Sequence, residues 1–426
     1  MFLTLVALLI FGISYIFIIT EWVNKMSAAL LGGFLVVIFG IMNQETAMSY
    51  IDWNVIFLLI GMMMVVSVLK QTGVFQYIAI KTAKLAGGKP FRILLFMFVI
   101  TGILSALLDN VTTVMMLIPV VLLITNELKV NPVPFVVTMA IASNIGGTAT
   151  MIGDPPNILI GSSTDYNFND FIINLAPAVV VIMIFSIGML YLLYRKGLHV
   201  SNESKSRVME YDVSKLIKNR TLLIRSLIVL TLMMVAFLLQ DTLHIESASI
   251  AMTAGLVLLI MSNRRKVDQV LMHDIDWITI FFFIGLFMIV GSLQERGLLS
   301  MIADKTVDLT HGNIKYTSFA ILWLSGILSS IIDNVPFVAT MIPVIKSIEI
   351  QIGLGKIDAL WWSLALGSCL GGNGTLIGAS ANIVAVGIAN KNGCKVSFKQ
   401  FTQIGILFAL MSYLVSTIYL YIRYLH

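Results

Sequence analysis

Twelve apolar stretches dominate this sequence, at about 2–20, 26–41, 53–69, 91–124, 133–163, 172–194, 222–240, 246–262, 275–293, 316–350, 359–390 and 401–424. About 20 apolar residues make a helix long enough to cross a bilayer, and backbone in hydrocarbon must satisfy its own hydrogen bonds, which selects helix for runs of this kind. Four of the stretches are too long for one straight span, so they must turn or break. Only 12% of the residues are charged, against roughly 25% in a soluble domain. The expected class is an all-α polytopic membrane protein. The first run has no basic flank and no small-residue cleavage site, and is read as a retained span.

A net charge of +5 in such a chain reports loops facing the cytoplasm rather than a nucleic-acid partner. Two cysteines, Cys369 and Cys394, form no disulfide framework or zinc spacing. The five histidines lie in or beside polar loops, so neither a histidine-ligated metal nor a histidine proton relay is expected, and no cofactor is implied. Membrane lipid is the expected surrounding partner.

The chain is internally duplicated. Ile51, Asp52, Trp53 and Gly61 recur 224 residues later as Ile275, Asp276, Trp277 and Gly285. At the same offset Leu104–Val120 overlays Leu328–Val344 with nine of seventeen positions identical. At an offset of 225, Ser143–Asn157 overlays Ser368–Asn382 with seven of fifteen identical. The expected domains are a first repeat over 1–194, with a hairpin at about 91–124 and a broken helix at about 133–163, and a second over 222–426, with a hairpin at about 316–350 and a broken helix at about 359–390. A polar linker, 195–221, separates them. Each repeat is read as five transmembrane helices plus a re-entrant hairpin, an odd number of crossings that inverts the second repeat relative to the first. With the N-terminus outside, all Lys and Arg except Arg296, Lys305, Lys315, Lys346, Lys356 and Arg423 fall on one side. The linker is then cytoplasmic, both termini face out, and the location is the cell (inner or plasma) membrane.

Polar residues interrupt the long runs at matching places. Asp109-Asn110 and Asp333-Asn334 suit chain reversals, where the Asp caps the returning helix, and Pro336 falls in that helix's first turn. The breaks at Gly146-Gly147-Thr148-Ala149-Thr150 and Gly371-Gly372-Asn373-Gly374-Thr375 unwind discontinuous helices, and Asp154-Pro155-Pro156 resembles an N-cap followed by the next half-helix. Such backbone at membrane depth must be buried in protein or line a watery cavity.

The candidate ion- or substrate-binding residues are accordingly Asp109, Asn110, Thr112, Thr148, Thr150, Asp154, Asn157, Asp333, Asn334, Asn373, Thr375 and Asn382. Gly146, Gly147, Gly153, Gly371, Gly372 and Gly378 supply open backbone, more as shape than as contact. The asparagines either touch the ligand or satisfy loop backbone. Asp52 and Asp276 read as interfacial caps beside Trp53 and Trp277, and Cys369 as a packing residue. Of the 22 acidic residues only Asp109, Asp154 and Asp333 lie deep in apolar segments, and no Lys or Arg is expected at comparable depth. Unpaired carboxylates there must be protonated, hydrated or cation-bound. This points to a transporter coupling H+ or Na+ to a cationic or neutral solute, with no metal site beyond Na+.

The motifs LLDNVTTVMMLIPV, NIGGTATMIGDPPNILI, SSIIDNVPFVATMIPV and CLGGNGTLIGASANIV resemble the ion transporter superfamily, above all its P protein branch, grouped with ArsB-type arsenite pumps and NhaD-type Na+/H+ antiporters. The resemblance implies ten spans, two re-entrant hairpins, a homodimer of scaffold and transport domains, and elevator-like alternating access. Sodium/dicarboxylate relatives carry a Ser-Asn-Thr type tip where this chain has Asp109-Asn110-Val111-Thr112 and Asp333-Asn334-Val335-Pro336. The expected function is secondary active transport of an ion or small inorganic solute coupled to protons, with Na+/H+ antiport first. Arsenite or antimonite efflux comes second, then an organic anion (citrate or dicarboxylate) symporter or an ion channel. No protease motif or nucleophile-base pair suggests an enzyme.

Overall fold

The computed structural model describes residues 2–20, 22–195, 200–353 and 357–426. Residues 196–199 of the expected linker, and Lys356 among the charges used for orientation, lie outside the described residues. Among the described residues the chain is helical with no strand. Nine helices there are long and apolar enough to cross a membrane, so this is a multi-pass membrane protein.

The first half runs α1 (Phe2–Thr20), α2 (Lys25–Ile38), α3 (Trp53–Gln71), α4 (Val74–Leu85), α5 (Pro90–Leu107), α6 (Asn110–Leu128), α7 (Val133–Gly147), α8 (Pro155–Ser163) and α9 (Phe168–Tyr194). The second half repeats the order as α10 (Arg220–Leu238), α11 (Ser247–Met261), α12 (Trp277–Glu295), α13 (Leu298–Thr310), α14 (Ile314–Ser329), α15 (Asn334–Ile352), α16 (Asp358–Gly371), α17 (Ser380–Lys391) and α18 (Phe398–Tyr424). Local chemistry sets the same boundaries in both. Asp52 accepts from Asn54 and Val55 N–H to open α3, and Asp276 accepts from Thr279 N–H to open α12. Gly73 and Gly297, with φ of 85° and 68°, supply the left-handed turn before α4 and α13.

Packing crosses the halves. Helix α2 lies against α12 and α3 against α11, with α1 on the first pair and α10 on the second. Both pairs meet through a glycine pressed on backbone: a Cβ at Gly285 would lie 2.3 Å from the Ala29 carbonyl carbon, and one at Gly61 2.5 Å from that of Ala251. These contacts align Ala29 with Ala251, and therefore Lys25 with Ser247.

The remaining elements form a second group. Hairpin α5–α6 turns at Asp109 and packs on α7, while hairpin α14–α15 turns at Asp333 and packs on α16. Ser105 Oγ donates to Ser143 O at 2.6 Å, and its counterpart Ser329 Oγ donates to Ser368 O at 2.6 Å. The returning leg α6 rests on α17, and α15 rests on α8, so each hairpin braces the other half's broken helix. Within the described part of the linker the helix Asn202–Glu210 docks on α6, Arg207 Nε lying 3.8 Å from Glu127 Oε2.

Candidate functional site

Three N-cap positions converge, and they use their carboxylates differently. Asp109 accepts from Thr112 N–H at 2.7 Å, and Asp333 accepts from Val335 N–H at 3.3 Å, so both cap the returning leg of a hairpin. Asp154 opens α8 with extended backbone but makes no side-chain cap. Its carboxylate instead accepts from both hairpin tips, from Asn110 Nδ2 at 3.0 Å and from Asn334 Nδ2 at 3.3 and 3.4 Å. Asp154, Asn110 and Asn334 are all buried, and among the described residues no ion pair reaches Asp154. Its second-half counterpart is Ala379, so the two repeats share one carboxylate.

The network continues through Asn144, which sequence reasoning did not single out. Asn144 Nδ2 donates to Asn373 Oδ1 at 2.9 Å and to Asn382 Oδ1 at 3.0 Å, and its Oδ1 receives a long contact from Asn110 at 3.5 Å. It sits inside the SNIGGTATMIGDPPN segment, but Cys369 holds its place in the second half, so the repeat does not flag it. Two atoms of this core, Asn110 Oδ1 and Asn373 Nδ2, are buried with no hydrogen-bond partner among the described residues.

Other expected site residues hold the breaks in shape. Asn157 Nδ2 donates to Thr148 O and Thr150 O at 3.1 and 2.9 Å, and Asn382 Nδ2 to Gly372 O and Thr375 O at 2.7 and 3.0 Å. Thr150 Oγ1 donates to Ala106 O at 2.6 Å and Thr375 Oγ1 to Ser330 O at 2.5 Å, tying each break to the hairpin of its own half. Thr148 Oγ1 donates back to Asn144 O. Gly146 abuts Gly102, Gly371 abuts Gly326, and the Gly147/Gly153 and Gly372/Gly378 pairs close each break on itself. Cys369 is buried and donates to Asn157 Oδ1 at 3.5 Å.

The expectation that no basic residue lies near the deep carboxylates is corrected by Lys25. Its Nζ stands 3.6 Å from Asp333 Oδ2 and donates to Ser380 Oγ at 3.0 Å, while Ser380 Oγ donates to Asp333 at 2.7 Å. The ammonium also lies 5.3 Å from the Phe282 ring centre. Helix α2 has only 14 residues, about 21 Å of rise, so its first residue reaches inside the bundle although the sequence places it at the edge of an apolar run.

Lys25, Asn110, Asp154, Thr279, Asp333 and Ser380 surround a small cavity of about 40 Å³, walled by Phe282 and Phe283. It lies on the boundary between the two helix groups. On one side of it a vestibule of about 490 Å³ exposes Asp109 and Thr112 to Asp276, Ser67 and the Lys70–Asp274 ion pair, whose separation is 3.5 Å.

The citrate transporter family profile matches residues 15–367. A 46 kDa membrane protein of Mycobacterium leprae is 41% identical over 428 residues, covering 99% of both chains. An uncharacterized transporter of Mycobacterium tuberculosis is 40% identical over 427 residues with the same coverage. The P protein of Sus scrofa is 30% identical over 504 residues, covering 99% of this chain and 59% of that one. The duplicated polar breaks thus lie within a sequence similar along its whole length to membrane transporters, and the chain belongs to the citrate transporter family.

Proposed function

We propose that this transporter exchanges protons for a small cation, Na+ first, with Asp154 as the carboxylate that carries one or the other. The observation that carries this reading is that Asp154 is fully buried and held by neutral groups, the carboxamides of the two hairpin tips and the Cys369 thiol, with no ion pair to it among the described residues. An ionised carboxylate so placed requires a compensating charge. A proton or a cation supplies it, and the unpartnered Asn110 Oδ1 beside it is a ready oxygen ligand for a hard cation. The 40 Å³ cavity has room for an ion with little of its water.

A broken symmetry supports alternating access. Asp276 shares its vestibule with residues 109–116. The counterpart Asp52 shares a cavity of about 320 Å³ with Phe287, Gly291 and Gln294, the repeat equivalents of Met63, Ser67 and Lys70, but with residues 339–346 of the hairpin leg. Strict symmetry places residues 333–340 there. The offset is six residues, about 9 Å of helix rise. We read the hairpin group as shifted toward the Asp276 side, taken as the cytoplasmic side, with those six residues, about 9 Å, as the full stroke to the symmetry-related state that exposes the site at Asp52. Each tip meets its own half's break, as when Asn110 N–H donates to Gly153 O at 3.1 Å, which supports hairpins that turn back at membrane depth. Termini outside, a cytoplasmic linker and a homodimer in the cell membrane belong to the same proposal.

An organic anion is the second reading, favoured by the Lys25 ammonium in the cavity and by the name of the family. The present cavity is too small for a tricarboxylate, since one water claims about 30 Å³. The test is a proteoliposome assay reading internal pH while Na+, Li+, K+, citrate and arsenite are added in turn. External Na+ or Li+ is expected to alkalinise the lumen. Silence to both, with citrate or arsenite accumulating, overturns the cation reading.

A further inference from the structure

Lys25 has no counterpart in the other repeat, and that asymmetry has a mechanical meaning. It stands on α2, in the group built from α1–α3 and α10–α12, whereas Asp333 and Ser380 belong to the hairpins and broken helices. The contact therefore crosses the boundary along which the two groups slide. Tyr15 of α1 crosses it too, donating to Pro336 O at 2.8 Å and meeting Thr340 Oγ1 at 2.7 Å, so the second hairpin is held from the first group at its tip and along its first turns. The first hairpin's tip opens on the vestibule instead. In the opposite state the repeat symmetry carries Asp109 to the place equivalent to Lys25, and there it meets Ser247, which bears no charge.

We propose that the Lys25–Asp333 pair is a one-sided latch: the tethered ammonium occupies the Asp333 carboxylate when the site is open toward Asp276, holds that state, and leaves Asp333 free for a cation only after the hairpin group has moved away. The proposal rests on the alternating-access reading above. An ammonium 3.6 Å from the carboxylate, with both side chains shielded from most solvent, competes directly with a monovalent cation for the same oxygens. The latch thus promotes cation release on the Asp276 side and makes the two half-cycles unequal.

The repeat provides matched reporters. Met115, in the vestibule, is 41% exposed, while its equivalent Ala339, in the wall of the Asp52 cavity, is only 6% exposed; the opposite state exchanges these environments. Single Met115→Cys and Ala339→Cys reporters in a Cys369→Ser/Cys394→Ser background are labelled with a membrane-impermeant maleimide in Na+-free choline buffer. Lys25→Gln is expected to slow labelling at 115 and speed it at 339, moving the ratio about tenfold, the effect of roughly 1.4 kcal/mol. Asp333→Asn gives the same shift, Lys25→Gln/Asp333→Asn no more than either alone, and the exchange Lys25→Asp/Asp333→Lys restores the original ratio. Unchanged labelling in both single variants, or additive shifts in the double, overturns the latch. Because labelling is read without a transported ion, a latch that behaves as stated beside silent Na+ and Li+ assays overturns the cation reading alone. Transport with unmoved labelling overturns the latch alone.

Discussion

At the scale of single residues, the site separates carboxylates that cap from one that does not. Asp109 and Asp333 spend an oxygen on helix N–H groups, whereas Asp154 gives both oxygens to side-chain amides. Asn157 and Asn382 belong to the frame. Asn382→Ala strips the donor from Gly372 O and Thr375 O at a buried break and is expected to cost about 1–3 kcal/mol, visible as a lower melting temperature in detergent. Asn157→Ala, which strips the donor from Thr148 O and Thr150 O, is expected to cost a similar amount. A melting temperature unmoved in both variants contradicts the framing role. The sequence made Asp154, Asn110 and Asn334 conspicuous because polar groups inside apolar runs are costly. Asn144 and Lys25 escaped notice for physical reasons: the first has no repeat partner, and the second enters the bundle only because α2 is short.

At the scale of elements, the spans and their breaks were legible, since run length, Gly-Gly pairs and Asp-Pro-Pro each have a direct backbone consequence. The hairpin turns fall at Asp109 and Asp333, where the capping argument puts them. Which helix packs on which was not legible. The α2–α12 and α3–α11 pairs depend on Gly285 and Gly61 pressing against backbone of the other half, and a lone glycine in an apolar run carries no mark of its partner. Gly285→Ala places a methyl 2.3 Å from the Ala29 carbonyl carbon, which backbone cannot yield without spreading the pair. A destabilisation of about 1–3 kcal/mol is expected, whereas Gly188→Ala, with nothing within 4 Å, leaves the melting temperature at or slightly above the original. Equal melting temperatures for the two variants contradict this account of the contact.

At the scale of the whole molecule, duplication builds a near-symmetric machine, and function lies where the symmetry fails. One buried carboxylate serves both hairpin tips, one ammonium meets one tip, and the cavity at Asp276 is larger than the one at Asp52. The repeat was read from sequence; the six-residue difference between the hairpin segments that face Asp276 and Asp52 was not, because the sequence pattern is the same whichever segment faces each carboxylate. The central claim is that Asp154 carries the exchanged proton or cation, and Asp154→Asn keeps its shape and acceptor oxygen while removing the charge. The most direct measurement is internal pH in proteoliposomes under an inward Na+ gradient, for the native chain and Asp154→Asn at equal, folded reconstitution. The native protein alkalinises the lumen and the variant leaves it at the protein-free rate; sustained Na+-driven alkalinisation by Asp154→Asn contradicts the account.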